Sequence, residues 1–147
     1  MVVEAAVLPR ILIIDDDTSL LESYTVLFED EFQVATAVSG ESGLDLLRLE
    51  DVHLVLLDVR LPGIDGIEVL RRIKALDENV DVIMITADKN VRVAVEAIKL
   101  GAYDYIVKPF SIKILLARIE SVLRRRRQVV PAISDSIKTP DLEIYRT

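Results

Sequence analysis

Five short apolar runs divide the first 107 residues, and four of them stop at a residue able to carry chemistry. Ile11-Leu12-Ile13-Ile14 stops at Asp15-Asp16-Asp17, Leu54-Val55-Leu56-Leu57 at Asp58, Val82-Ile83-Met84-Ile85 at Thr86, and Tyr103 to Val107 at Lys108-Pro109. The remaining run covers Phe32 to Ala37. Runs that are apolar throughout, with no polar alternation, are characteristic of strands covered on both faces. Helical spacing separates them. Leu20, Leu21, Tyr24, Leu27 and Phe28 share a face after the first run, with Ser19 and Glu22 placed as a capping box. A weaker helix is expected from about Glu41 to Glu50, and another with Val69, Leu70, Ile73 and Leu76 on one face. A fourth ends near Leu100, where Gly101 suits a C-terminal cap. Ile112, Leu115, Leu116, Ile119, Val122 and Leu123 form the clearest helical stripe. Five strand–helix units with right-handed crossovers give an α/β domain, a parallel sheet with helices on both sides.

Length and composition agree with this reading. The chain of 147 residues is 51% hydrophobic and 29% charged, which suits one domain with a full core. We place that domain at residues 1–127. Residues 128–147, with two Pro, several Ser and Thr and no clear period, are expected to be a C-terminal tail or truncated linker without an output domain. No apolar stretch reaches transmembrane length, the N-terminus lacks a signal-peptide pattern, and there is no Cys, so a cytoplasmic protein is expected.

The net charge is −7. Without Arg124 to Arg127, the 14 remaining basic side chains face 25 acidic ones, and the balance is −11. The body of the domain is therefore acidic, and no direct nucleic-acid binding or membrane association is expected of it. The four arginines read as a solvated helix end, favoured beside the negative pole of the helix dipole.

In open parallel α/β sheets, ligands bind beyond the carboxyl ends of the strands. Asp15, Asp16, Asp58, Thr86 and Lys108 would converge on that rim. Crowded carboxylates repel one another, and a divalent cation relieves the repulsion. Oxygen ligands with open positions favour Mg²⁺, which retains waters and accepts phosphate as a co-ligand. A carboxylate can also act as a nucleophile and form an acyl phosphate. Phosphoryl transfer needs mainly positioning and charge neutralisation, tasks that Mg²⁺ and a Lys can perform. A single strand-end Asp is ordinarily a turn or cap residue, and Asp17 and Thr18 read that way. His53, the only histidine, reads as an ordinary residue entering the third strand.

The motifs resemble those of response-regulator receiver domains of two-component signal transduction. Ile11 to Asp17 is similar to their acidic opening motif, and Leu56-Leu57-Asp58-Val59-Arg60-Leu61-Pro62-Gly63-Ile64-Asp65-Gly66 to their phosphoacceptor segment. Ile85-Thr86-Ala87 resembles their switch hydroxyl motif, and Tyr105-Ile106-Val107-Lys108-Pro109-Phe110 their Lys-Pro motif. The likeness covers about residues 9 to 125. It implies a flavodoxin-like doubly wound fold of five parallel strands, order 2-1-3-4-5, with five helices. It also implies a regulatory phosphoacceptor domain in a phosphorelay, self-catalysing its phosphorylation and dephosphorylation at most, rather than an enzyme.

Asp58 would then accept a phosphoryl group from a histidine kinase or phosphotransfer protein. Mg²⁺ would be held by Asp16, Asp58 and the Arg60 backbone carbonyl, with Asp15 acting mostly through water. Thr86, Tyr105 and Lys108 would be the switch and phosphoryl-contact residues. Arg60 and Asp88 would tune phosphoryl lifetime, and the Lys108-Pro109 bond would be cis. The fourth helix, fifth strand and fifth helix would form the readout face, and phosphorylation could drive homodimerisation through it. The wording from Asp58 to Gly63 and the long basic end of the fifth helix are similar to those of receivers of enhancer-binding activators. Two alternatives remain at this point: a haloacid-dehalogenase-type phosphohydrolase with Asp15 as nucleophile, and a receiver-like interaction module that is never phosphorylated.

Overall fold

The computed structural model describes residues 8–135, with side chains described through residue 125. The elements alternate as the apolar runs require: β1 (Arg10–Ile14), α1 (Thr18–Phe28), β2 (Gln33–Ala37), α2 (Gly40–Leu49), β3 (Leu54–Leu57), α3 (Gly66–Leu76), β4 (Asp81–Thr86), α4 (Val91–Lys99), β5 (Asp104–Val107) and α5 (Ile112–Asp135). The five strands form one sheet in the order β2-β1-β3-β4-β5, all neighbours parallel. This is the expected order. Contacts divide the chain into a unit ending at Ser111 and a second unit beginning at Ile112, the start of α5.

Burial explains why the central runs are apolar throughout. Every residue of β3 and β4 is buried, as is β1 after Arg10. Alternate residues of these strands enter a core with α2, α3 and α4: Leu12 and Ile14, Val55 and Leu57, Val82 and Met84, packed with Leu44, Val69, Leu70, Ile73 and Ala97. Fully burying one such side chain contributes about 1.5–3 kcal/mol; in these strands the buried polar residues, Asp81 and Thr86, stand only at the two ends of β4. The edge strand β2 is more exposed; only Ala37 is buried. An edge strand has a neighbour on one side only, and its middle residues Val34, Ala35 and Thr36 are small or β-branched.

Four local expectations change. The cap of α1 is Asp17, whose side chain accepts the Leu20 amide at 3.2 Å, so Ser19 lies inside the helix and forms no capping box with Glu22. Asp is as good an N-cap as Ser and occupies the position where the chain turns from β1. On α1 the buried line is Leu21, Tyr24 and Phe28, spaced i, i+3, i+7, while Leu27 lies beside it and is 50% exposed. Leu76, in the last turn of α3, is 47% exposed. α5 continues to Asp135, through Pro131 and past the Arg127 boundary. Proline has no amide hydrogen to donate to the preceding turn, so the helix passes this position with one of its backbone bonds missing. Residues 136–147 of the expected tail lie outside the described residues. Gly101 follows the α4 C-cap with φ +107°, a left-handed conformation suited to glycine. Among the described residues, no helix is long and apolar enough to cross a membrane.

Candidate functional site

The parallel register brings the polar strand ends together. The Asp58 amide bonds to the Ile14 carbonyl at 3.1 Å, the Asp15 amide to the Ala37 carbonyl at 3.1 Å, and the Lys108 amide to the Thr86 carbonyl at 2.8 Å. The strand ladders thus extend into the site, and its side chains start from held backbone. Asp15, Asp16 and Asp58 each offer a carboxylate oxygen, all lying within 4.8 Å of one another. Lys108 Nζ lies 3.4 Å from Asp15 Oδ2 and 3.7 Å from Asp58 Oδ2. One ammonium therefore lies within reach of two of the three clustered carboxylates. Asp15 is buried and Asp16 exposed, while the Asp58 side chain is 12% exposed.

Burial pushes the Asp58 carboxyl above the ordinary carboxylate range. The Arg60 amide, which donates to Asp58 Oδ1 at 3.1 Å, opposes that shift. The Asp15 charge raises it further; the Lys108 charge and a hydrogen bond from Thr86 lower it. The Thr86 hydroxyl is fully buried beneath this group. Tyr24 senses the same acids: burial, then Asp15 and Asp58, push its phenol to about 12.

Two loops frame the site. In the loop after β3, the Gly66 amide donates to the Val59 carbonyl at 2.8 Å, and a Cβ at Gly66 would lie 2.2 Å from the Asp58 carbonyl oxygen. Only glycine lets α3 start this close to the Asp58 backbone. The same loop is held from α2 by Glu41, whose carboxylate accepts the Ile64 amide at 3.3 Å. In the loop after β4, the Asp88 amide donates to Thr86 Oγ1 at 3.1 Å, and the Tyr105 hydroxyl donates to the Asp88 carbonyl at 3.0 Å. Arg60 Nη2 meets Asp88 Oδ2 at 3.0 Å across the mouth of the site. Burial and the Asp88 charge push the Tyr105 phenol up. The Lys108-Pro109 bond is cis.

All the candidates from Asp15 to Lys108 therefore lie on one rim. His53 lies at the opposite end of the sheet, where its Nδ1 accepts the Arg10 amide at 3.1 Å. Sequence reasoning passed over Glu41, Tyr24 and the packing role of Gly66. Gly66 had a readable signal, a glycine opening a helix just after a strand-end Asp. Glu41 had none, because its partner lies 23 residues away across a loop.

The chemistry of this rim is that of an acidic pocket with a nucleophile-competent carboxylate, a buried hydroxyl and an ammonium. Comparison with known proteins agrees. Residues 11–120 match the family model of the response regulator receiver domain. The chain is 44% identical over 119 residues to the transcriptional regulatory protein AfsQ1 of Streptomyces coelicolor, covering 80% of this chain and 52% of AfsQ1. It thus spans about half the length of that relative. A CheY-like receiver domain protein from Methanospirillum hungatei superposes with a TM-score of 0.80 at 33% identity, over 82% of this chain and 98% of that one. The BeF3-activated receiver domain of DrrB, an OmpR/PhoB homolog of Thermotoga maritima, gives 0.73 at 33% identity, over 80% and 98%. A haloacid-dehalogenase-type hydrolase is not favoured by any of these matches. The chain belongs to the response regulator receiver domain family, the phosphorelay receivers of two-component systems.

Proposed function

We propose that Asp58 is the phosphoacceptor, and that its phosphorylation resets the loop after β4. One observation carries this reading: Asp58 is the carboxylate that lies within reach of Lys108, Thr86 and the Arg60 amide together. The donor would be the phosphohistidine of a histidine kinase or phosphotransfer protein. An Asp58 oxygen attacks phosphorus, the P–N bond breaks, and its electron pair returns to the imidazole, which takes up a proton. Small acyl phosphates would serve more slowly.

The donor set fits Mg²⁺: hard oxygens, three of them carboxylates, close enough to share one ion. Asp16, Asp58 and the Arg60 carbonyl would hold it, with Asp15 acting through water. When bound, it would neutralise charge on the transferring phosphoryl group. Lys108 would turn from Asp15 to pair with the phosphoryl oxygens. Thr86 would donate its hydroxyl to one of them, and Tyr105 would move inward.

A shift from 1:99 to 99:1 between resting and active states needs about 5.5 kcal/mol. Charge-assisted hydrogen bonds to Thr86 and Lys108, each about 1.5–3 kcal/mol, reach that scale together. The readout would include α4, which exposes Val91, Val95 and Ile98. A second copy of the chain docking there is the expected active assembly, and an unchanged monomer mass in sedimentation with beryllofluoride and Mg²⁺ would count against it. As in AfsQ1, the output would be transcriptional regulation.

Labelling with a radioactive acyl phosphate tests the acceptor. Parent and Asp15→Asn protein should keep base-labile, hydroxylamine-sensitive label at position 58, with Asp15→Asn slowed. Asp58→Asn should take up none. Label retained in Asp58→Asn and lost in Asp15→Asn would overturn the reading.

A further inference from the structure

Asp88 contacts four parts of the machinery at once. Its amide donates to the Thr86 hydroxyl at 3.1 Å, and its carbonyl accepts the Tyr105 hydroxyl at 3.0 Å. Its Oδ1 accepts the Asn90 amide at 2.9 Å, and its Oδ2 meets Arg60 Nη2 at 3.0 Å. Asn90 is the N-cap of α4, its side chain accepting the Arg92 amide. Both switch side chains and the start of α4 are thus tied to a single residue, and that residue is clamped from the acceptor loop by one cation. The clamp is asymmetric. The Asp88 side chain is 13% exposed and held on several sides, while that of Arg60 is 74% exposed. Arg60 is the partner free to leave.

It also has somewhere to go. Arg60 lies two residues after Asp58, and its amide already donates to Asp58 Oδ1. A phosphoryl group on Asp58 would bring more negative charge than a carboxylate and a geometry that a guanidinium matches with paired hydrogen bonds. We propose that Arg60 is an exchange cation: it clamps Asp88 in the resting state, and the phosphoryl group on Asp58 takes it away, releasing the 87–90 loop and the N-cap of α4. Arg60 and Asp88 act here as positioning residues, through Thr86, Tyr105 and Asn90. The idea deepens the reading of Asp58 as acceptor and rests on it.

Hydrogen exchange of the whole chain tests the clamp, with and without beryllofluoride and Mg²⁺. Without the mimic, Arg60→Ala and Asp88→Asn should each speed amide exchange at residues 89–94 by about fivefold, the scale of losing one partly exposed ion pair. Asp88→Asn keeps an oxygen for the Asn90 amide, so it removes the charge and leaves the cap. Arg60→Lys should stay within about twofold of the parent. With the mimic, the parent should rise to the level of the variants, and Arg60→Ala should change little further. Exchange at 89–94 that is unchanged in both resting variants would overturn the clamp. So would a rise spread equally over β1 and β3. If instead the parent takes up neither label nor mimic at Asp58, the acceptor reading fails, while the resting-state comparison still tests the clamp.

Discussion

The two ends of the sheet handle charge in opposite ways. At the amino ends of the strands, polar groups are matched to one another. The Arg10 guanidinium meets Glu50 and the Gln33 side-chain oxygen, the Arg10 amide donates to His53, and Gln33 Nε2 donates to the Leu8 carbonyl. At the carboxyl ends, three carboxylates crowd together with Lys108 paired to two of them, and Asp58 sits in a partly desolvated place that disfavours its charge. The first end is built to lower the energy of the resting fold. The second holds back stabilisation that a cation or a phosphoryl group can later supply, which is how ligand binding gains leverage over a fold.

The largest effect should come from Gly66. A methyl group there would meet the Asp58 carbonyl oxygen and the Val59 backbone, with no flexible side chain to give way. Gly66→Ala should cost about 2–4 kcal/mol of stability, the scale of a backbone clash in a packed site, measured by urea unfolding. It should also weaken Mg²⁺ binding. Parent-like stability would mean that the acceptor loop is looser than its contacts suggest. Next in size is metal affinity. Asp16→Ala should reduce Mg²⁺ binding at least about tenfold, read by calorimetry on the whole chain. The same calorimetry on Arg10→Ala should give the parent affinity, since Arg10 belongs to the opposite end. Equal losses in both variants would erase the contrast between the two ends.

How much of this contrast was legible in the amino-acid sequence depends on how each feature is encoded. β1, β3 and β4 are buried along their length, so continuous apolar runs revealed them, and strand-end polar residues exposed the rim. Which carboxylates meet Lys108 depends on parallel pairing, which the alternation of elements implies and the family motifs sharpen. The amino-end network was not legible. Arg10, Gln33, Glu50 and His53 are spread over 43 positions and are ordinary residue types for a surface. Arg60 and Asp88 were foreseen only as two residues that would tune phosphoryl lifetime, and their pairing was not, because a contact 28 residues apart leaves no periodic trace. The helical stretch through Pro131 was missed because local propensity argues against it.

A smaller effect separates the two ends by pH. Burial raises the Asp58 carboxyl above its unfolded value, so the group favours the fold below the unfolded value and loses that contribution as pH rises through its folded value. Once ionised, Asp58 is therefore a cost to the fold. Asp58→Asn should therefore raise stability where the parent carboxyl is ionised, seen as a higher Tm in thermal unfolding. The gain should shrink as the pH falls and the parent carboxyl takes up its proton, and saturating Mg²⁺ should reverse the order by stabilising the parent alone.

The smallest expected change is at the amino end. Arg10→Ala should lower stability by about 0.5–1 kcal/mol, because its contacts are partly exposed and screened. Labelling of Asp58 should be unaltered. The informative quantity is the salt dependence. The loss should diminish by 0.5 M salt, where charges further apart than a few ångströms no longer sense one another, and what remains would be the hydrogen bond to Gln33. At the carboxyl end the same salt should raise stability, because there it screens repulsion between Asp15, Asp16 and Asp58. Salt responses of the same sign in Arg10→Ala and the parent, relative to Asp58→Asn, would mean that the two ends are one electrostatic system rather than two.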